Sequence, residues 1–235
     1  MATDGQTRLV LWDIDHTLIE ARGLGRDVYA RVFPQVTGQA LRELGVFDGR
    51  TELEIIHGTL ALHGIAADEE IVDGLTAALA DGFRTASEEL VTRGSVLPGV
   101  HAALEALAAE PGMHQSVLTG NTAEVARIKV DAFGLGRHLD LSIGAYGDDH
   151  RDRAELVTIA RERASARLGI PVDADQVVLI GDTPNDVAAA LTAGAHIIAV
   201  ATGNYSVADL AAAGAPSPLT TLADLPQFQR ALATR

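Results

Sequence analysis

Asp13 and Asp15 stand two residues apart in Asp13-Ile14-Asp15-His16-Thr17, directly after the apolar run Leu9-Val10-Leu11-Trp12. Carboxylates this close are costly to bury together unless a cation or a proton neutralises them. Two further clusters have the same form. Val117-Leu118 runs into Thr119-Gly120-Asn121, and Val177-Val178-Leu179-Ile180 runs into Gly181-Asp182-Thr183-Pro184-Asn185-Asp186. Together they offer the carboxylates of Asp13, Asp15, Asp182 and Asp186, with hydroxyls and backbone N–H groups at helix starts. Carboxylates with few thiols or imidazoles suit Mg²⁺. Hydroxyls and helix N-terminal N–H groups suit phosphate oxygens. Mg²⁺, phosphate and a free carboxylate point to phosphoryl transfer through an aspartyl-phosphate. Each cluster alone has a plainer explanation: an Asp-rich turn at Asp15, a helix cap at Thr119, a turn and first-turn helix charge at Asp182 and Asp186. Their recurrence at three strand ends favours the chemical one.

For these clusters to meet, their strands must run parallel, because ligands bind outside the carboxyl ends of strands in an open α/β sheet. Residues 9–12, 114–119, 177–180 and 195–200 read as buried strands, with Trp12 in the core and weaker strands at 141–146 and 218–220. Helices are expected at about 122–133, 154–168 and 187–192, and Pro98 opens another with Leu104 and Leu107 inside. This alternation predicts an α/β fold, a Rossmann-like parallel sheet with helices on both faces. Residues 26–93 differ. No strand-like run appears there, and Val28/Val32, Leu53/Ile56/Leu60 and Ile71/Leu75/Leu79 recur at helical spacing, giving three or four helices. Glu20–Gly25 reads as a linker or flap. The expected division is a core of residues 1–19 and 95–235 and an inserted helical domain of residues 20–94.

Composition narrows the function. The formal net charge of −14 argues against nucleic acid or anionic membranes as partners. The absence of cysteine excludes disulfides, thiolate nucleophiles and zinc–thiolate sites. No apolar run approaches the roughly 20 residues that span a bilayer, and the polar start Met1–Arg8 does not read as a signal peptide. A soluble, cytoplasmic enzyme acting as a monomer or homodimer is expected.

The pattern resembles the haloacid dehalogenase-like (HAD) superfamily over nearly the whole chain. Asp13-Ile14-Asp15-His16-Thr17 is similar to its first motif, DxDxT, Val117–Asn121 to its second, and Gly181–Asp186 to its fourth, GDxxxD. The insertion resembles the α-helical C1 cap of the phosphoglycolate phosphatase-like branch. The resemblance implies a Mg²⁺-dependent phosphatase for a small phosphorylated metabolite. By it, Asp13 is the nucleophile and Asp15 the general acid and base. Asp13, Asp182, Asp186 and the Asp15 backbone carbonyl hold the metal, and Thr17, Thr119, Gly120 and Asn121 bind phosphate. The alternatives it leaves are a β-phosphoglucomutase-like mutase and a non-catalytic binding protein of the same fold. The third motif normally supplies a lysine before the helix that precedes GDxxxD. Here only Arg151 and Arg153 stand there, and Arg153 is preferred. Lys129, the only lysine, is expected at the surface in mid-helix, with the role of substitute phosphate-facing cation as its alternative. Arg50, in Asp48-Gly49-Arg50-Thr51, either reads a substrate anion or sits in a turn with Thr51 as N-cap before Glu54. His16 reads as a loop side chain.

Overall fold

A computed structural model of the chain describes residues 7–234. Most of the start Met1–Arg8, read as carrying no signal peptide, lies outside them. The elements are β1 (Arg8–Trp12), β2 (Ile19–Glu20), α1 (Leu24–Thr37), α2 (Glu52–Leu62), α3 (Glu69–Thr85), α4 (Ser87–Arg93), β3 (Ser95–Val96), α5 (Val100–Ala108), β4 (Met113–Val117), α6 (Ala123–Ala132), α7 (Arg153–Leu168), β5 (Val177–Gly181), α8 (Pro184–Thr192), β6 (His196–Ala199), α9 (Val207–Ala212) and α10 (Leu225–Ala233). The main sheet is parallel, in the order β4-β1-β5-β6. Among the described residues, no helix is long and apolar enough to cross a membrane.

Parallel strands covered on both faces read as continuous apolar runs, and β1 is an example. Val10 and Trp12 face one core with α5, α6 and α10, while Leu9 and Leu11 face the other with α7, α8 and α9. Trp12 is fully buried. Its indole N–H donates to Gln115 Oε1 at 3.1 Å, and its ring lies 5.8 Å from that of Phe228. Trp12 aligns with Val117 of β4 and Ile180 of β5, so the three polar clusters emerge on one sheet edge.

Two weak strands are smaller than the sequence suggests. Leu141–Ile143 is a 3₁₀ turn, and only Ala145 bridges to Leu118; in 218–220 only Leu219 bridges, to Val200. The linker after Thr17 instead contains β2, which pairs antiparallel with β3 as a short two-stranded flap.

Helices α1 to α4 form their own core from Leu24, Val28, Phe33, Ile56, Leu60, Leu75, Leu79 and Leu90. Val125 of α6 joins that core, so the helical unit sits directly on the sheet domain. The irregular stretch 39–50 closes the remaining gap. The Asn185 amide donates to the carbonyls of Asp48 (3.2 Å) and Gly49 (3.1 Å), and Asn204 Nδ2 donates to the Asp48 carboxylate at 3.1 Å. Gly49 has φ +67°, and a Cβ there would lie 2.6 Å from Thr183 Oγ1. Only glycine allows this approach without strain.

Candidate active site

Asp13 follows β1 and continues its ladder, its N–H donating to Ile180 O at 2.9 Å. The turn beyond it is tight: the N–H groups of Leu18 and Ile19 both donate to Ile14 O, and His16 takes φ +59°. Asp15 is thereby lifted beside the loop Thr119–Asn121. Asp182 ends β5, and Asp186 occupies the first turn of α8 under a capping box with Thr183. Carboxylate oxygens of Asp13, Asp182 and Asp186 lie within 4.8 Å of one another, and all three residues are buried. A Cβ on Gly203 would lie 1.9 Å from Asp182 Oδ2, and one on Gly181 would lie 2.3 Å from Asp186 Cγ. Both glycines therefore make room for the carboxylates.

Arg153, the first residue of α7, is the cation inside this cluster. Its Nη2 is 2.9 Å from Asp13 Oδ1 and 2.6 Å from Asp186 Oδ1, and its Nε donates to the latter at 2.9 Å. One guanidinium does not balance the site. Burial pushes Asp13 up to about 7, with Arg153 pulling it back and Asp186 and Asp15 adding to the rise. Burial and repulsion from Asp13 and Asp186 push Asp182 up to about 9. Hard carboxylate oxygens, so strained by their own charge, fit an oxygen-preferring divalent cation. Both Asp186 oxygens are already engaged, Oδ1 by Arg153 and Oδ2 by the Thr183 N–H (3.0 Å) and hydroxyl (2.7 Å).

On the phosphate-loop side, Thr119 is fully buried and does not cap the next helix; Thr122 does, accepting from Val125 N. Thr119 Oγ1 accepts from Asn121 Nδ2 at 2.8 Å and from the Asn121 N–H at 3.3 Å. Gly120 is pressed against the helical unit: its carbonyl accepts from Glu52 N at 2.7 Å, and a Cβ would lie 2.0 Å from Arg50 O.

The acids Asp13, Asp15 and Asp182 share one cavity of about 440 Å³ with Thr119, Gly120, Asn121, Arg153 and Arg50. Thr17 is not on its wall. It is fully buried, and its hydroxyl donates to Asp182 Oδ1 at 3.2 Å, so it steadies that acid. Arg50 lies on the wall but pairs with Glu54 at 3.0 Å, and Thr51 caps α2 in a capping box with Glu54. The turn and the Thr51 cap expected there are present, and Arg50 spends its guanidinium on Glu54. His16 pairs with Glu20 at 3.0 Å in the flap, again on the wall. Arg151 is exposed, and its carbonyl accepts from the Thr51 hydroxyl at 3.3 Å.

Lys129 corrects the surface placement. It is only 4% exposed, because α6 turns Val125, Ala126, Lys129 and Val130 inward and the helical unit packs on that helix. Its Nζ reaches Asp15, and burial, which would raise the Asp15 pKa, is outweighed by the ammonium and the Asn121 amide, which hold it low. The helical spacing from Val125 to Lys129 was the available signal. Two further wall residues carried no comparable signal. Glu52 is buried at the start of α2, where it accepts from the Tyr29 hydroxyl, and burial pushes it up to about 7.

The site is an acidic cluster with a buried arginine at the strand ends of a parallel sheet, beneath a helical unit. The chain belongs to the haloacid dehalogenase-like hydrolase family, whose model matches residues 10–191. It is 27% identical over 221 residues to the phosphoglycolate phosphatase of Rhodospirillum rubrum, covering 93% of this chain and 89% of that one. Solved structures of similar fold include a hydrolase from Pseudomonas syringae (TM-score 0.69, 19% identity, 96% of this chain and 98% of that one). Another is a predicted phosphoglycolate phosphatase from Haemophilus somnus (TM-score 0.69, 18% identity, 97% and 100%). The chain is accordingly an enzyme of the hydrolase class with phosphatases among its relatives.

Proposed function

We propose that the chain is a Mg²⁺-dependent phosphomonoesterase that acts on a small phosphorylated metabolite through an aspartyl-phosphate at Asp13. The observation that carries this is Asp13 itself, buried at a strand end, 2.9 Å from Arg153 and grouped with Asp182 and Asp186 at the floor of a capped cavity. In this reading residues 20–94 are the cap and residues 1–19 and 95–235 the catalytic core.

An Asp13 oxygen attacks phosphorus in line. Its new bond to phosphorus forms as the ester P–O bond breaks, and the departing oxygen takes a proton from Asp15, which must first be loaded with it because Lys129 and Asn121 favour the carboxylate form. Asp15 then takes a proton from water, which attacks phospho-Asp13 and releases phosphate. Thr119, Gly120, Asn121 and Arg153 hold the phosphate oxygens, Arg153 as a planar fork suited to them. Asp13, Asp182, Asp186 and the Asp15 carbonyl would hold Mg²⁺, which supplies the positive charge that lets a carboxylate approach a phosphate dianion. The cap excludes bulk water while this happens. Its wall offers Arg26, which makes no ion pair among the described residues, and this suits a metabolite with a second anionic group. Phosphoglycolate, named for the Rhodospirillum relative, is of this kind.

The test is phosphate release from a panel of phosphomonoesters with Mg²⁺ and after chelation. Metal-dependent release, strongest for small acid phosphates, is the expected result. Release that ignores chelation, or none on any ester, would sink the proposal. An isomerised sugar phosphate in place of free phosphate would make the enzyme a mutase.

A further inference from the structure

Lys129 is the chain's only lysine, and its charge is committed to Asp15 and Asn121. Its Nζ lies 2.8 and 2.7 Å from the two Asp15 oxygens and 2.7 Å from Asn121 Oδ1. The Asn121 amide nitrogen then donates to Asp15 Oδ2 at 2.8 Å and to Thr119 Oγ1 at 2.8 Å. Ammonium, amide and carboxylate thus close a ring that is tied to the phosphate loop. From the cap side the Phe83 ring covers the ammonium, 5.0 Å from its centroid. A charge this deeply buried is retained only with partners, and the carboxylate among these is the acid and base of the reaction. Among the described residues, only the Lys129 ammonium and the Asn121 amide hydrogen-bond the Asp15 carboxylate, which is otherwise 36% exposed and lines the cavity.

We propose that Lys129 is a positioning residue for Asp15. The ammonium, with Asn121 beside it, sets the carboxylate's orientation against the phosphate loop, and delivery of the proton to the leaving oxygen depends on that orientation. This rests on the phosphatase reading above. It differs from a direct hold on phosphate, the role proposed above for Arg153.

The two roles separate by leaving group. An alkoxide leaves slowly unless it is protonated, whereas p-nitrophenolate leaves unaided. The value of kcat/KM reports the steps up to ester cleavage, so it isolates proton delivery from the later hydrolysis of phospho-Asp13. Lys129→Met in the Mg²⁺-supplied enzyme is expected to lower kcat/KM for an alkyl phosphate by about 10²-fold, the usual yield of a placed general acid. For p-nitrophenyl phosphate the loss is expected to be less than about a tenth of that. In an Asp15→Asn background the same change should add no further loss on the alkyl ester, because the two residues act as one unit. Equal losses on both esters, no loss on either, or additive losses in the double variant would overturn the proposal. Lys129→Gln is read in the same way if the Met variant fails to fold by circular dichroism. A wild-type enzyme inactive on both esters would instead bring down the phosphatase reading, and this inference with it.

Discussion

Asp13→Asn is expected to lower kcat on every phosphate ester by about 10⁴-fold or more, because the amide keeps the shape of the side chain and removes the nucleophile. The same change should leave the protein folded, and more stable at high pH. Burial, with Asp186 and Asp15 nearby, raises Asp13 from 3.8 to about 7 despite Arg153. An acid whose pKa is higher folded than unfolded holds its proton longer in the folded state. Stability is then full below the unfolded value and falls as the pH rises towards the folded one. The wild-type apoprotein therefore loses stability between about pH 4 and pH 7 on account of this residue, and Asp13→Asn does not. In chelated samples the variant should melt above wild type at pH 8, with the gap closing by pH 4. An unfolded variant would remove the distinction between lost chemistry and lost structure. An active one would remove Asp13 from the reaction.

Arg153→Ala is expected to cost both stability and turnover, and Arg151→Ala neither. Arg153 is 8% exposed and is the cation placed between Asp13 and Asp186. Removing one partner from a buried ion pair typically costs about 3–5 kcal/mol, since the other charge is left uncompensated. Here two carboxylates lose it, with Asp182 close by. Turnover should fall by about 10²–10³-fold, the scale of losing one preorganised contact to transition-state charge. Saturating Mg²⁺ should restore part of the melting temperature, because a ligand that binds only the folded state stabilises it. Arg151 is exposed and uses its backbone, not its guanidinium, to meet Thr51. Urea melts and steady-state kinetics on both variants check the ranking; a larger loss for Arg151→Ala would contradict it.

The parts of the fold that could be read from sequence are those where one face or one run settles the matter. Leu9–Trp12 and Val177–Ile180 are apolar throughout because helices cover both of their faces. The parallel sheet and the shared edge for Asp13, Thr119 and Asp182 follow from them. Ala145 and Leu219 each make a single bridge, too short for any periodicity to mark as other than a strand or a loop. Helices α9 and α10 are short and their signals lie only in their starts: Ser206 and Asp209 form a capping box, and Asp224 caps before Pro226. In the site, residue type located the acids, but partners decided what each side chain does. Thr17 turns to Asp182, and Lys129 turns to Asp15, through contacts between residues more than a hundred positions apart. Glu52 is held at the cavity by its N–H bond to Gly120 O, after the patternless stretch 39–50, which docks on Asn185. Local spacing holds no record of that docking.

The proposed reaction passes through a covalent phosphoryl group on Asp13. The most direct measurement is to mix enzyme, Mg²⁺ and a turned-over phosphate ester, quench in acid, reduce with borohydride and map the peptides by mass spectrometry. An acyl phosphate is reduced to the alcohol, so homoserine is expected at position 13 and unchanged aspartate at 15, 182 and 186. Unmodified Asp13 in an enzyme that is turning over, or homoserine at any of the other three, would contradict it.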